Sequence, residues 1–221
     1  MRVWVTRTLP EADATAARIG ARGHSAIVAP VLEARPIAGV RVDLAGVGAI
    51  AFTSGHAIAA FAALSPERDL PIYTVGDASA RLAREAGFTA VRSADGNART
   101  LAELIARERR DGRRVLHPTA REPAADLAAM LAEHGVSASS LPVYETVPTA
   151  LAAPPADAEA VLVHSARGGA LAAALIDAAR RLDLLAYAIS PDAARPLAAL
   201  GLARLEAAPF PNEASLLDLL P

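Results

Sequence analysis

The side chains able to do chemistry sit in short turns, each following a Val/Ile-rich run and preceding an Ala/Leu-rich one. The first is Thr53-Ser54-Gly55-His56, a hydroxyl pair followed by a glycine and an imidazole. A serine nucleophile needs a general base within reach and an acid to orient that base. His56 is poorly placed for the task, two residues along the same turn, and G-x-S-x-G is absent. The turn reads better as a cap, with Ser54 or Thr53 accepting from backbone N–H groups and Gly55 letting a ligand approach the main chain.

The other turns extend this pattern. "VTRTLPEAD" ends a strand on Thr6 and Arg7, and Arg7 reads equally as a surface arginine or an anion ligand. "TVGDASA" offers Gly76 and Asp77 but lacks the further glycines of a dinucleotide fingerprint, and no Walker sequence occurs. "LHPTAREPAAD" supplies His117 and Arg121, while "VHSARGGA" and "AISPDAA" supply Ser165, Arg167 and Ser190. Tyr144 lies in the extended segment "VYET", where an amphipathic interface aromatic is the plain reading. Hydroxyls, free backbone N–H groups and arginines suit a large ligand with several anionic groups. They suit neither a triad nor a metal, and the five histidines are scattered without ligand spacing.

Composition narrows the classes further. With 22 basic and 24 acidic residues the formal net charge is -2, without the basic stripe of a nucleic-acid binder. All the cationic side chains are arginines, and cysteine is absent, which removes disulfides, thiolate zinc sites and cysteine nucleophiles. "MRVWVTR" starts directly as a strand, and no apolar run is long enough to span a bilayer. A cytoplasmic, monomeric protein without a membrane or nucleic-acid partner is the expectation.

The elements that must position these turns alternate strand and helix, which predicts parallel sheets with helices on their faces. The series occurs twice. "AIAFTSGHAIAAFAAL" at 49–64 returns as "AVLVHSARGGALAAAL" at 160–175, and "VGDASARLAREAGF" at 75–88 as "ISPDAARPLAALGL" at 189–202. "RVWVTRTLPEADATAARIGARG" at 2–23 likewise returns as "RVLHPTAREPAADLAAMLAEHG" at 114–135. Two long copies imply two similar α/β lobes rather than a solenoid. "VLEARPI" and "VYETVPT", extended and proline-bearing, are the expected joining strands.

The order of "VTR", "APVLEARP", "FTSGHA", "TVGDASARLAREAGF", "VYETVP", "HSARGGA" and "AAPFPNEASLLDLL" resembles the uroporphyrinogen-III synthase family over essentially the whole chain. That resemblance implies two flavodoxin-like lobes with parallel sheets, joined by a two-stranded antiparallel ladder. Lobe 1 would take residues 1–35 and 150–221, lobe 2 residues 38–146, with hinge strands near 33–38 and 143–149. It implies a cofactor-free cyclisation of the linear tetrapyrrole hydroxymethylbilane to uroporphyrinogen III, with loss of water and inversion of ring D. The substrate would bring eight carboxylates. Tyr144 matches the family's hinge-strand tyrosine, the candidate for assisting hydroxyl departure. Arg7, Thr53, Ser54, Gly55, His56, Gly76, Asp77, His117, Ser165, Ala166 and Ser190 are the expected substrate contacts. His56 departs from the family's common asparagine, and Ser190-Pro191 from its Gly-Pro. The competing expectation is a non-catalytic two-lobed binding or sensor protein for an anionic metabolite.

Overall fold

A computed structural model describes residues 1–109, 111–179 and 183–221. The chain divides into two units, Met1–Glu33 with Val147–Pro221, and Ala34–Thr146. It passes from one to the other within extended segments.

The elements in chain order are β1 (Arg2–Val5), α1 (Glu11–Gly20), β2 (Ser25–Val28) and β3 (Leu32–Pro36). Next come β4 (Val47–Phe52), α2 (Gly55–Leu64), β5 (Ile72–Thr74), α3 (Asp77–Glu85), β6 (Val91–Ser93) and α4 (Ala98–Glu108). β7 (Arg114–Ala120), α5 (Leu127–Glu133) and the long β8 (Ala138–Pro148) follow. The series closes with β9 (Ala160–Val163), α6 (Ala166–Ala178), β10 (Leu185–Ala188), α7 (Pro191–Ala194), a 3-10 turn, β11 (Arg204–Ala207) and α8 (Glu213–Leu217).

Among the described residues the strands form two sheets, ordered β11-β10-β9-β1-β2 and β3-β8-β7-β4-β5-β6. With β9 set against β4 and β1 against β7, the first order repeats inside the second. The sequence duplication is therefore a duplication of topology. The paired registers are parallel. The β3–β8 edge is the antiparallel exception: Ile37 N–H donates to Val143 O and Thr149 N–H to Val31 O, so one number falls as the other rises. The expected ladder is thus continuous with the larger sheet.

The central strands are buried along their whole length because helices cover both faces, so "VGAIAF" of β4 and "AVLV" of β9 carry no polar side chain. Alternation sorts the rest. On β1, Trp4 packs with Val161, Ala172 and Ile176 on one face, while Val3 and Val5 pack with Ile19, Leu162 and Tyr187 on the other. Each such large side chain contributes about 1.5–3 kcal/mol by leaving water. The Trp4 indole N–H meets the Ala29 carbonyl at 2.7 Å, so its burial leaves no orphan donor. In the second unit Phe52, Phe61 and Phe88 cluster on one side of the sheet, and Leu101, Ile105 and Leu127 on the other.

Helices start where the sequence supplies an acceptor. Ser54 caps α2, Asn97 caps α4 in a reciprocal capping box with Thr100, Ser165 caps α6, Ser190 caps α7 and Asn212 caps α8. Gly169 shows how closely α6 is packed, since a methyl there would collide with the Ala193 carbonyl oxygen and lie 3.3 Å from Val163 Cγ1. Gly169→Ala is expected to destabilise the protein by about 1–3 kcal/mol through overpacking. Gly20→Ala, at the end of α1 with open space around it, should change stability by less than about 1 kcal/mol. Urea unfolding of the two variants checks the contrast.

Candidate active site

A doubly wound sheet binds ligands outside the carboxyl ends of its strands, at the point where the strand order reverses. In the Ala34–Thr146 unit that point lies between β4 and β7. The turn after β4 holds Thr53 and Ser54, and the end of β7 holds His117 and Thr119. A cavity of about 720 Å³ opens there, lined by Thr53, Ser54, Thr119, Tyr144, Asn97 and Arg99 among others, all from this unit.

Ser54 is at the centre of the polar contacts. Its Oγ accepts the His56 backbone N–H at 3.2 Å, capping α2, and also accepts the Tyr144 hydroxyl at 3.1 Å. The His56 ring leans on the phenol, centroids 5.5 Å apart at 49°. Tyr144 is aimed by an irregularity in β8. Thr119 pairs with Pro142, but Ala120 pairs with Tyr144 rather than Val143. Pro142 has no N–H for the ladder, and the slip lets Val143 and Tyr144, consecutive residues, both pack into the same core. Tyr144 is left 8% exposed with its hydroxyl at the cavity wall.

His117 is placed differently from the sequence expectation. It is 1% exposed and does not line the cavity; it lies behind Thr53, with Nε2 3.1 Å from Thr53 Oγ1. Nδ1 has no protein partner among the described residues. Burial lowers its pKa to about 4, against the opposing pull of the Asp126 carboxylate. The imidazole is therefore neutral at physiological pH.

Gly55 opens α2 close to α3: a Cβ there would lie 2.7 Å from Leu82 Cδ1, at the tip of that side chain. Gly76 is the extended residue before α3, with open space where a Cβ would be, and Asp77 is exposed in the first turn of that helix. Neither lines the cavity, although Val75 does.

The other unit gathers its own strand-end residues. Arg7 donates to Thr15 Oγ1 at 3.3 Å and pairs at 3.5 Å with Glu213, which also takes Arg18 and the Thr15 hydroxyl. Arg7 and Arg18 thus share one carboxylate. Ser165 accepts from Gly168 N–H at 3.0 Å and Ser190 from Ala193 N–H at 3.3 Å; Ala166 is exposed at the start of α6. Beside Ser165, His164 has both ring nitrogens buried without a protein partner among the described residues. Burial, reinforced by the Arg7 charge, lowers its pKa to about 3.

Sequence reasoning overlooked Asn97, Arg99 and Thr119. The available signal was "GNART", in which Asn97 stands three residues before Thr100 as in a capping box. Among the described residues no group of His, Asp and Glu converges as a metal site would require, and no helix is long and apolar enough to cross a membrane.

Residues 13–218 match the family model described as Uroporphyrinogen-III synthase HemD. The chain belongs to the uroporphyrinogen-III synthase family. That family comprises cyclising lyases of heme biosynthesis acting on a small tetrapyrrole. In fold the chain is similar to uroporphyrinogen-III synthetase from Helicobacter pylori, with TM-score 0.67 and 18% identity over 99% of this chain and 96% of that one. Native uroporphyrinogen III synthase from the extremely thermophilic bacterium Thermus thermophilus gives TM-score 0.40 and 19% identity, over 99% and 95%. No individually curated protein matches the chain.

The buried imidazole has a consequence for stability. An unfolded histidine takes up a proton as the pH falls through about 6.5, whereas folded His117 stays neutral down to about 4. The unfolded state binds more protons in that window, so stability falls as the pH is lowered through it and is flat above it. The expected loss from His117 alone is about 3 kcal/mol. Urea unfolding from about pH 7.5 to about pH 4 should give a shallower slope for His117→Gln than for the wild type. An unchanged slope would refute the assignment.

Proposed function

We propose that this chain closes hydroxymethylbilane to uroporphyrinogen III at the strand ends described above, with Tyr144 as the catalytic residue. The observation that carries the reading is the Tyr144 hydroxyl at the cavity wall, held by Ser54 Oγ at the point where the strand order reverses. Family membership supplies the reaction class, and the cavity supplies hydroxyls and the Arg99 guanidinium as donors for an anionic substrate, with Glu122 as its one carboxylate among the described residues.

The phenol needs little rearrangement to act. When the hydroxymethyl oxygen of the substrate replaces Ser54 as acceptor, Tyr144 donates to it as the C–O bond breaks, and the oxygen leaves as water. The resulting azafulvene is electron-poor, and the substituted carbon of ring D attacks it to form a spiro intermediate. Fragmentation and reclosure invert ring D, and the proton released as the last pyrrole regains aromaticity restores the phenol. The pyrroles supply all the electrons, so the chemistry calls for no cofactor. Unguided closure gives the unrotated isomer, so the protein's main contribution is to hold the chain for attack at the substituted carbon.

Thr53 and Ser54 serve as carboxylate donors in this reading, with His56 beside them, His117 behind, and Gly55, Gly76 and Asp77 at neighbouring strand ends. Arg7, Ser165, Ala166 and Ser190 form the corresponding strand-end set of the other unit. A cytoplasmic monomer without nucleic-acid or membrane partners belongs to the same proposal, and the near-neutral charge lacks the basic footprint that nucleic-acid binding uses.

The test is to generate hydroxymethylbilane in situ and resolve the oxidised porphyrin isomers. Isomer III in excess of the spontaneous background is expected; isomer I alone at every protein concentration would sink the proposal in favour of a binding protein. Tyr144→Phe is expected to lower kcat by about 10²-fold with KM nearly unchanged. A full kcat would reduce the tyrosine to a packing role.

A further inference from the structure

His117 stands where the repeat has an apolar residue. Aligning "RVWVTR" with "RVLHPT" sets His117 opposite Val5, which is fully buried in its own sheet. The position in this fold is satisfied by a valine. An imidazole there buries one unpartnered nitrogen, a liability that packing alone does not explain. Its other nitrogen meets one group, Thr53 Oγ1, and Thr53 lines the cavity.

A neutral imidazole carries one N–H and one lone pair, which leaves two arrangements. With the proton on Nδ1, a buried N–H has no acceptor, and Thr53 must spend its hydroxyl proton on Nε2. Only oxygen lone pairs would then face the cavity, repelling a carboxylate. With the proton on Nε2, the orphan is a lone pair, the more readily tolerated of the two. Thr53 Oγ1 accepts from behind and its own proton is free to point forward.

Ser54 repeats the arrangement by other means. Its Oγ accepts from the His56 N–H throughout and, until the substrate oxygen takes over the Tyr144 hydroxyl, from Tyr144 as well, which leaves its proton as the available group. Both hydroxyls are loaded on the acceptor side by the protein, which leaves each proton as a donor for a carboxylate.

We infer that His117 is a positioning residue: held as the Nε2–H tautomer, it donates to Thr53 and fixes the Thr53 hydroxyl as a donor to a substrate carboxylate. The identity of the carboxylate rests on the function proposed above; the tautomer does not. Asp126 is the charged group acting on the ring, and burial outweighs it, so the imidazole stays neutral through the working pH range.

Two measurements test this. Two-bond ¹H–¹⁵N correlation spectra of ligand-free, ¹⁵N-histidine-labelled protein, assigned through His117→Gln, read the tautomer directly. A single Nε2–H form is expected from about pH 5.5 to about pH 8; an Nδ1–H form, a mixture or an imidazolium in that range overturns the inference. In steady-state kinetics with hydroxymethylbilane, Thr53→Val and His117→Phe are each expected to raise KM about tenfold, the worth of one good hydrogen bond, with kcat little changed. Thr53→Ser and His117→Gln, which retain the hydroxyl and an N–H donor respectively, should each recover part of the loss. The double variant Thr53→Val/His117→Phe should be no worse than Thr53→Val, because the histidine acts through the threonine. Equal damage from His117→Gln and His117→Phe, or additive damage in the double variant, overturns it. Should the wild type yield isomer I alone, the proposed reaction fails while the spectra still decide the tautomer.

Discussion

The 3.1 Å hydrogen bond from the Tyr144 hydroxyl to Ser54 Oγ is the contact on which the rest of the site depends. It fastens β8 to the first turn of α2 and so fixes the phenol against the cavity. Ser54 meets three demands at once: it caps the helix, accepts the phenol and presents a proton. A hydroxyl has the two lone pairs and one proton this requires. Aspartate caps a helix equally well, but when ionised it has no proton to present and would turn negative charge toward an anionic ligand.

The two units put similar frames to different electrostatic use. Ser54 and Ser165 stand at matching strand ends and both cap the following helix. In one unit the cation Arg7 is paired with Glu213, while in the other the cavity wall sets the hydroxyls of Thr53, Ser54, Thr119 and Tyr144 beside an arginine, Arg99, and a carboxylate, Glu122. Neutral donors suit a substrate with many carboxylates that must also leave: each contact is modest in energy, and orientation comes from their number. The neutral histidines fit the same scheme: His117 adds a hydrogen bond to Thr53 without adding charge, and burial keeps His164 neutral as well. Their desolvation costs stability at low pH, and the densely packed apolar sheet layers around them offset it.

How much of this was legible in the sequence divides by the range of the interaction involved. The alternation of strand and helix, the caps at Ser54, Ser165 and Ser190, the duplication and the family all follow from local pattern, because capping and periodicity depend on residues within a few positions of one another. Tyr144 could be singled out, but its aim could not: that depends on β8 slipping one residue against β7 beside Pro142, a property of the pairing. Gly55 read as a place where a ligand nears the main chain, and the approach of Leu82 from α3, a tertiary contact, could not be read from the turn itself. Asn97 and Arg99 carried at most the local signal of a helix start, and it is the sheet order that brings that start to the cavity.

The sequence by itself determined the elements, their order, their duplication and the side chains available for chemistry. The tertiary structure alone decided which of those side chains meet. Arg7 finds Glu213 near the far end of the chain, and His117 finds Thr53 across 64 positions and faces a hydroxyl instead of the cavity. The physical reason is that side-chain type fixes what a group can donate or accept, whereas partner and orientation are set by strand register and burial, which belong to the folded sheet.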